Sequence, residues 1–303
     1  MIRAVIDIGS NSIKMRIARI SRGNVHVIRD ETEVVRLGRG MSITGLLQPE
    51  NMKVSCDAVS KMVRKAASMR AEILIVGTMA LRTARNADVF VKMVKDSSGQ
   101  DVHVLSGEDE AKYSWLGAVD GLNVKGDAVM FDSGGGSTEF VLGNEDGIKH
   151  VVSVPVGAVN LSEKYFLSNP DKPIKKSVCD DAVNYVRNML TAHSIDSFRT
   201  DTGQVIGVGG GTVTMASVKH ACENFNPSLL HGSTLTHRDI VRQINMYSSL
   251  TLSERENVIG LPASRADVIL GSSCIILAAL EILDAKSCMV SINGLRHGLL
   301  LHG

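Results

Sequence analysis

The sequence predicts an α/β fold built from two similar domains, and three short stretches support this prediction. Residues 4–17 contain an apolar strand that ends near Asp7, a small polar turn and a second apolar strand. Residues 129–142 repeat this pattern around Asp132, with three glycines in the turn. A third turn, at residues 207–212, is rich in glycine and leads into a helical pattern. Two aspartate-ended hairpins followed by a glycine turn favour a duplicated fold that closes on a phosphorylated ligand.

The first half of the chain is expected to open with a three-stranded meander and then to alternate helices and strands. The expected strands are residues 2–8, 13–20, 25–35, 73–77 and 101–105. Pro49 suits the first turn of a helix, and a further helix is expected to start near Thr78. Ser106 is a suitable N-cap for the next helix, whose first turn carries the acids Glu108, Asp109 and Glu110.

A polar link between Gly121 and Gly126 is the expected domain boundary. It gives an N-terminal domain of residues 1–122 and a C-terminal domain of residues 123–303. The second domain is expected to repeat the meander, with its third strand at 148–154. The apolar stretch 268–280 predicts a buried helix, and the last helix of the chain could pack back on the first domain.

Composition excludes several classes of protein. The chain has 303 residues, which is enough for two domains, and its net charge of +1 comes without a basic, aromatic-rich face that would indicate nucleic-acid binding. Its five cysteines include no CxxC pair, so we expect reduced core thiols in a cytoplasmic protein. The first strand begins at about Ile2 and the apolar stretch is short, so we expect no signal peptide and no membrane association.

The motifs that are present and absent limit the kinds of active site that the chain could form. The sequence has no GxxxxGK[ST] loop, no GxGxxG spacing in the 207–212 turn and no HExxH or Cys/His cluster. The glycines at 134–136 allow backbone N–H groups to converge on an anion, and Asp132 and Glu139 could hold a hard cation such as Mg²⁺. An ordinary tight hairpin with a glycine bulge remains the alternative for this stretch alone.

Taken together, these stretches resemble the exopolyphosphatase / guanosine pentaphosphate phosphohydrolase (Ppx/GppA) family, a phosphatase branch of the actin, Hsp70 and sugar-kinase superfamily. The matching stretches are residues 6–12, 35–38, 78–82 with Asn86, 106–111, 132–139, 154–160, 207–212, 264–270 and 294–296. The most specific part is the pair Asp-x-Gly-Ser-Asn-Ser and Asp-x-Gly-Gly-Gly-Ser-Thr-Glu. The resemblance implies two actin-like, ribonuclease H-like domains with an interdomain cleft, in the short two-domain form.

The resemblance also implies roles for individual residues. Glu110 falls on the catalytic base and Arg82 on a basic position of the cleft, while Asp132 and Glu139 fall on ligands for Mg²⁺ or another divalent cation. The implied phosphate-binding residues are Asp7, Gly9, Ser10, Asn11, Gly134, Gly135, Gly136, Ser137, Thr138, Gly209, Gly210, Gly211 and Arg265. Three residues depart from the family pattern: Asp109 replaces a glutamate, Ser133 an apolar residue and His297 a glutamate.

The expected activity is hydrolysis of the terminal phosphate of inorganic polyphosphate, with guanosine pentaphosphate as the alternative substrate. A long polyanion needs a basic track, for which Lys14, Arg36, Arg39 and Arg265 are candidates. Two other classes stay open: an ATP-dependent kinase of the sugar- or acetate-kinase type, and an actin-like nucleotide-binding module. The apolar helix at 268–283 could support a homodimer or form the core of the second domain.

Overall fold

The protein contains two compact units. The computed structural model describes residues 1–303, apart from the side chain of Ser42. Unit 1 consists of residues 1–117 and 295–303, and unit 2 of residues 118–294. The domain limits expected from the sequence, 1–122 and 123–303, stay a prediction, because compactness does not show that either part folds alone.

The strands and helices follow in chain order. The strands are β1 (Ile2–Ile8), β2 (Ser12–Ser21), β3 (Asn24–Val34), β4 (Glu72–Gly77), β5 (Val102–Val104), β6 (Ala128–Ser133), β7 (Thr138–Asn144), β8 (Gly147–Val154), β9 (Gln204–Val208), β10 (Thr234–Thr236) and β11 (Ser287–Val290). The helices are α1 (Met41–Thr44), α2 (Pro49–Ser68), α3 (Met79–Thr83), α4 (Ala87–Ser98), α5 (Gly107–Val119), α6 (Ala158–Tyr165), α7 (Lys176–Ala192), α8 (Gly209–Lys219), α9 (Pro227–Leu230), α10 (His237–Ser248), α11 (Leu252–Arg255), α12 (Ile269–Ile282) and α13 (Leu295–His302).

The sheet of unit 1 has the order β3-β2-β1-β4-β5. β1, β2 and β3 form an antiparallel meander, and β4 and β5 add in parallel beside β1. β1 is buried from Ala4 to Ile8 because apolar side chains cover both of its faces. One face packs against α2 and α4, and the other packs against α13. A central strand covered on both faces is mostly apolar, and β1 departs from this pattern only at Arg3 and Asp7.

The sheet of unit 2 repeats this plan in the order β10-β11-β9-β6-β7-β8. β6, β7 and β8 form the meander, and β9 and β11 add in parallel beside β6. β10 extends the other edge in antiparallel pairing with β11. The α/β class and the repeated meander are therefore confirmed.

The most apolar helix, α12, forms the centre of the core of unit 2. Every residue from Ile269 to Leu280 is buried, because α6, α7, α8 and α10 surround it. A helix that is apolar on every side is expected in such a position. The core interpretation of this stretch is confirmed, and its use as a dimer surface is wrong. None of the helices in the described residues is long and apolar enough to cross a membrane.

One expected helix is divided in two. The predicted helix start near Thr78 is confirmed, but α3 ends at Thr83 and α4 begins only at Ala87, so Arg85 lies between the two helices. Between them, the side-chain amide of Asn86 accepts a hydrogen bond from Leu47 N–H (2.9 Å) and donates one to the Leu47 carbonyl (3.0 Å). The break therefore anchors the segment before α2.

All five cysteines are free, as expected.

Candidate active-site residues

Turn 1, which we define as residues 9–11, joins β1 to β2. The N–H of Gly9 donates to the carbonyl of Ser12 (3.1 Å) and closes the turn. The carbonyls of Ser10 and Asn11 accept hydrogen bonds from the segment after β3. The donors are the N–H groups of Gly38 (2.8 Å), Val35 (3.1 Å) and Arg36 (2.8 Å). Because a trans peptide directs its C=O and N–H to opposite sides, the Asn11 N–H points away from that segment.

Asp7 lies just before turn 1 and directly opposite Lys14 on β2. It is only 8% exposed. Burial raises the pKa of Asp7, and the positive charges of Lys14 and Arg296 oppose this rise. The carboxyl group is thus costly to ionise, and two cations of unit 1 offset part of that cost.

Glu110 lies in the first turn of α5 and is paired with Arg82 from α3. The guanidinium of Arg82 donates to Glu110 Oε2 at 2.6 Å and to the carbonyl of Leu105 at 3.0 Å. The two side chains are 18% and 14% exposed, respectively. A partly buried, charge-assisted hydrogen bond fixes the carboxylate while leaving part of it accessible.

The other acids of the same turn have different surroundings. The hydroxyl of Ser106 accepts from Asp109 N–H (3.0 Å) and donates to the Asp109 carboxylate (2.8 Å). Asp109 therefore belongs to the N-cap of α5, as expected for an acid near a helix N-terminus. Glu108 is exposed. Of these three acids, Glu110 is the one that the fold pairs with an arginine.

Turn 2, which we define as residues 134–137, joins β6 to β7 and has the geometry of turn 1. The N–H of Gly134 donates to the carbonyl of Ser137 (2.9 Å). The carbonyls of the three glycines accept from the N-terminal end of α6. The donors are Ala158 N–H to Gly134 (2.9 Å), Val159 N–H to Gly135 (2.7 Å) and the Asn160 side chain to Gly136 (3.0 Å). The next N–H groups along the chain therefore point away from α6, as in an anion-binding nest.

Asp132 and Glu139 occupy facing positions of β6 and β7 beside turn 2. Glu139 is 1% exposed, and its Oε1 accepts hydrogen bonds from Ser137 (2.7 Å) and Ser153 (2.8 Å). Two carboxylates in facing positions repel each other, and a cation between them removes that repulsion. Mg²⁺ commonly takes one or two protein carboxylates and fills its other positions with water and phosphate oxygens, so this pair fits it. Within the described residues, no group of three potential ligands surrounds a common point, so a cage made only of protein does not form there.

The glycines at 209–211 form the first turn of α8 and not a loop before it. The helix begins at Gly209, three residues before the expected start at Thr212. Gly209 has φ +90°, and a Cβ on it would lie 2.8 Å from Asp132 Oδ1. A Cβ on Gly210 would lie 2.3 Å from the guanidinium of Arg265. The N-terminus of α8 thus lies against both a carboxylate and an arginine.

Arg265 is partly buried where it packs over Gly210. Burial lowers its pKa, and the negative charge of Asp267 opposes this effect. An arginine beside the N-terminus of an eleven-residue helix suits a bound phosphate.

Two polar atoms beside these turns have no hydrogen-bond partner among the described groups. They are Asn11 Oδ1 in turn 1 and Ser133 Oγ at the end of β6. Buried polar groups are usually paired, so these two atoms are exceptions. Ser133 is the residue at which the sequence departs from an apolar pattern, and nothing in the structure explains the serine there.

The structure thus brings subsets of the predicted residues together within each unit. In unit 1, Asp7 adjoins turn 1 and Arg82 contacts Glu110. In unit 2, Asp132 adjoins both turn 2 and the start of α8. The sequence interpretation missed Ser153, which faces Glu139 across β7 and β8 and holds its carboxylate. Register is the signal that would have found it, and a single sequence does not reveal register across the bulge between these strands.

Comparison with known proteins identifies the family. The model of the Ppx/GppA phosphatase family matches residues 16–303. The chain belongs to the Ppx/GppA phosphatase family. The structure superposes on that of an Aquifex aeolicus PPX-GPPA enzyme with a TM-score of 0.81 and 29% identity, covering 100% of this chain and 99% of the other. This likeness confirms the fold class over the whole chain.

Two curated relatives carry different activities in their names. A guanosine-5'-triphosphate,3'-diphosphate pyrophosphatase of Vibrio atlanticus is 30% identical over 298 residues, which cover 98% of this chain and 58% of that protein. Exopolyphosphatase 2 of Mycobacterium tuberculosis is 29% identical over 288 residues, which cover 90% of this chain and 88% of that protein. The chain spans about half the length of several relatives, 58% of the Vibrio protein and 46% of another.

Proposed function

We propose that this protein is an exopolyphosphatase that releases orthophosphate from the end of inorganic polyphosphate, with Glu110 as the base. The observation that carries this assignment is the Arg82–Glu110 pair at the start of α5, in a chain of the Ppx/GppA family. The mycobacterial relative of similar length, named an exopolyphosphatase, supports the substrate.

Phosphoryl transfer needs positioning and charge neutralisation more than covalent chemistry. The N–H groups of turn 1 and turn 2 and the N-terminus of α8 donate to phosphate oxygens. Arg265 adds a positive charge at α8. Each group is held by the fold before substrate arrives, so little reorganisation is needed at the moment of reaction.

Glu110 takes one proton from a water molecule as the oxygen of that water attacks the terminal phosphorus. The bond from that phosphorus to the bridging oxygen breaks, and the shortened chain leaves with the bridging oxygen. Arg82 keeps the Glu110 carboxylate in place through its 2.6 Å hydrogen bond. General base catalysis of this kind contributes roughly 10²–10⁴-fold to the rate.

Asp132 and Glu139 would hold a Mg²⁺ ion, or another divalent cation, beside turn 2. A bound cation of this kind offsets the negative charge of the phosphate oxygens. The hydroxyls of Ser137 and Ser153 orient the Glu139 carboxylate for that role.

Guanosine pentaphosphate is the second candidate substrate. The Vibrio relative supports it, and its terminal phosphoanhydride has the same chemistry as that of polyphosphate. For a long polyanion, Lys14, Arg36 and Arg39 of unit 1 supply the basic track. We further propose a cytoplasmic location, which suits the five free cysteines, and no nucleic-acid or membrane partner. A homodimer stays a prediction.

The test is orthophosphate release with Mg²⁺ from long-chain polyphosphate and from guanosine pentaphosphate in parallel. Glu110→Gln should lower the rate by roughly 10²–10⁴-fold, while the matched change Glu108→Gln on the exposed side of the same turn should leave it unchanged. Faster release from polyphosphate supports the first substrate, and the reverse ratio supports the second. A Glu110→Gln enzyme of wild-type rate would exclude Glu110 as the base. No release from either substrate would favour the kinase or binding-module classes, for which acceptor-dependent ATP consumption is the next assay.

A further inference from the structure

The last helix, α13, lies against both the turn 1 sheet and the helix that carries Glu110. Its apolar residues Leu295, Leu299 and Leu300 pack on Val5 of β1 and Val76 of β4. Its Gly298 lies against α5, where an added Cβ would be 1.9 Å from the carbonyl oxygen of Tyr113. Real Cβ atoms almost never approach another atom within 3.0 Å, so the backbones of α13 and α5 meet at this point only because residue 298 is glycine.

Tyr113 and Glu110 lie three residues apart on α5 and therefore share a face of the helix. The contact with Gly298 is thus one turn away from the proposed base. A displacement of α5 at Tyr113 is carried to Glu110, because a helix turn is a rigid, hydrogen-bonded unit.

Charged groups fix α13 to the sheet at both of its ends. Near its start, Arg296 pairs with one carboxylate oxygen of Asp30 on β3. The other oxygen of Asp30 accepts from Arg16 on β2 at 2.6 and 2.7 Å. Near its end, Arg3 of β1 donates to the carbonyls of Gly303 (2.7 Å) and Leu300 (3.4 Å).

The buried arginine of this network also contacts α13. Arg16 is 6% exposed, and its Nη1 lies 3.4 Å from Nδ1 of the buried His297. Burial alone would raise the pKa of Asp30, but Arg296 and Arg16 more than offset this effect, and the pKa is lowered. Arg16 is buried and Asp30 is partly exposed, so this network is only partly shielded from solvent, and it joins α13 to both β2 and β3.

We propose that α13 is a positioning element that sets the place of Glu110 relative to turn 1, with Gly298 and Arg296 as its positioning residues. The role rests on the proposed function of Glu110. Arg296 holds α13 on the sheet that carries turn 1, and Gly298 transmits that position to α5. Neither residue needs to contact substrate.

The main test is Gly298→Ala, which must separate α13 from α5 by about 1 Å to bring the new Cβ to an allowed distance. A misplacement of that size can cost roughly 10²-fold in rate, so kcat for polyphosphate should fall about 10- to 100-fold with KM changed less than about 2-fold. His302→Ala, at the exposed end of the same helix, is the matched control and should keep the wild-type kcat. A normal kcat in folded Gly298→Ala would overturn the role of α13.

A double variant separates positioning from general stability. If α13 acts through Glu110, adding Gly298→Ala to Glu110→Gln should lower the residual rate little further. Independent, multiplied losses would contradict the proposal. Should Gly298→Ala fold poorly, Arg296→Ala gives the same test, and Arg296→Lys should restore much of kcat.

Amide hydrogen exchange distinguishes failure of this role from failure of the proposed base. The N–H groups of residues 110–113 should exchange faster in Gly298→Ala and in Arg296→Ala than in His302→Ala. Faster exchange there, together with a wild-type rate for Glu110→Gln, would mean that α13 holds α5 but that Glu110 is not the base. In that case α13 would constrain α5 without positioning a catalytic base, and the proposed role would be wrong. Unchanged exchange would exclude the contact itself as a constraint on α5.

Discussion

Turn 1 and turn 2 close through the same backbone hydrogen bond, but the residues beside them carry different charges. Each follows an aspartate by two residues, and each closes through an N–H to carbonyl bond, Gly9 to Ser12 (3.1 Å) and Gly134 to Ser137 (2.9 Å). In turn 1 the residue that faces the aspartate across the strands is Lys14, and in turn 2 it is Glu139. One hairpin geometry therefore serves two different electrostatic environments.

The difference suggests how the two turns divide the work. At turn 1 the cation is a side chain of the protein, so the proposed phosphate site there needs no metal ion to balance the aspartate. At turn 2 the two facing carboxylates repel each other, and a divalent cation from solution relieves this repulsion. The carbonyls of each turn are held by a neighbouring segment, which is Val35–Gly38 for turn 1 and α6 for turn 2. The two hairpins thus share the aspartate and the closing hydrogen bond and differ in the charge of the residue that faces the aspartate.

The largest expected effect comes from neutralising the aspartate of each turn. Asp132→Asn should lower kcat by roughly 10²–10³-fold, because metal stabilisation of a transition state is worth several kcal/mol. Asp7→Asn should lower it by only about 10-fold, since its neighbour Lys14 remains to attract phosphate. Titrating the activity of both variants with Mg²⁺ measures the contrast. The half-saturating Mg²⁺ concentration should rise for Asp132→Asn and stay near the wild-type value for Asp7→Asn. Equal shifts in both variants would show that metal binding is not confined to turn 2.

Gly209→Ala tests the support of Asp132 by α8. An alanine at φ +90° is strained, and its Cβ would lie 2.8 Å from the Asp132 carboxylate, so we expect a loss of about 1–2 kcal/mol in unfolding free energy. Gly203→Ala is the control, because it also has a positive φ (59°) but nothing within 4 Å of the new Cβ. Urea unfolding compares the two variants. A loss no greater at Gly209 than at Gly203 would mean that the contact with Asp132 carries no energy.

The sequence was sufficient for the parts of this comparison that depend on local pattern. The two aspartates, the turn glycines and the repeated meander follow from alternating apolar residues and from turn chemistry. It was not predicted that Lys14 faces Asp7 and that Glu139 faces Asp132, because both pairings depend on hairpin register, which the turn type and loop length set. The same limit applies to Ser153, which holds Glu139 from the third strand of the meander.

The helix boundaries and the surroundings of Glu110 show a second limit. The acids of α5 look alike in sequence, and only tertiary contacts assign Asp109 to the N-cap and Glu110 to Arg82. Likewise, α8 begins at Gly209 although glycine is a poor helix former, because the close approach of Asp132 leaves no space for a side chain. Low helix propensity is thus overridden where the backbone of a helix must approach a side chain of the site closely.

Lys14→Glu recreates at turn 1 the acidic pair of turn 2. The new repulsion with Asp7 should lower the unfolding free energy by about 1 kcal/mol in the presence of a chelator. Mg²⁺ should restore part of this loss, because the variant turn offers the cation two facing carboxylates. Thermal unfolding with chelator and with Mg²⁺ measures both effects, and Lys14→Gln, which lacks the second carboxylate, serves as the control. Equal responses to Mg²⁺ in the two variants would show that the facing pair is not what binds a cation.

The smallest effect concerns the stability cost of Asp7. Its pKa is raised by burial, so the folded state binds a proton more tightly than the unfolded state, whose pKa is near the ordinary 3.8. A raised carboxyl pKa means that stability falls as pH rises from the unfolded value through the folded value. Asp7→Asn removes this cost, so its unfolding free energy relative to wild type should grow above pH 3.8 and then level off. Urea unfolding between pH 3.5 and pH 7, with the exposed Asp57→Asn as the control, measures the trend. An Asp7→Asn variant that is less stable than wild type at pH 7 would show that the Asp7–Lys14 attraction outweighs the cost of burying the carboxylate. The ion pair would then contribute to the stability of turn 1.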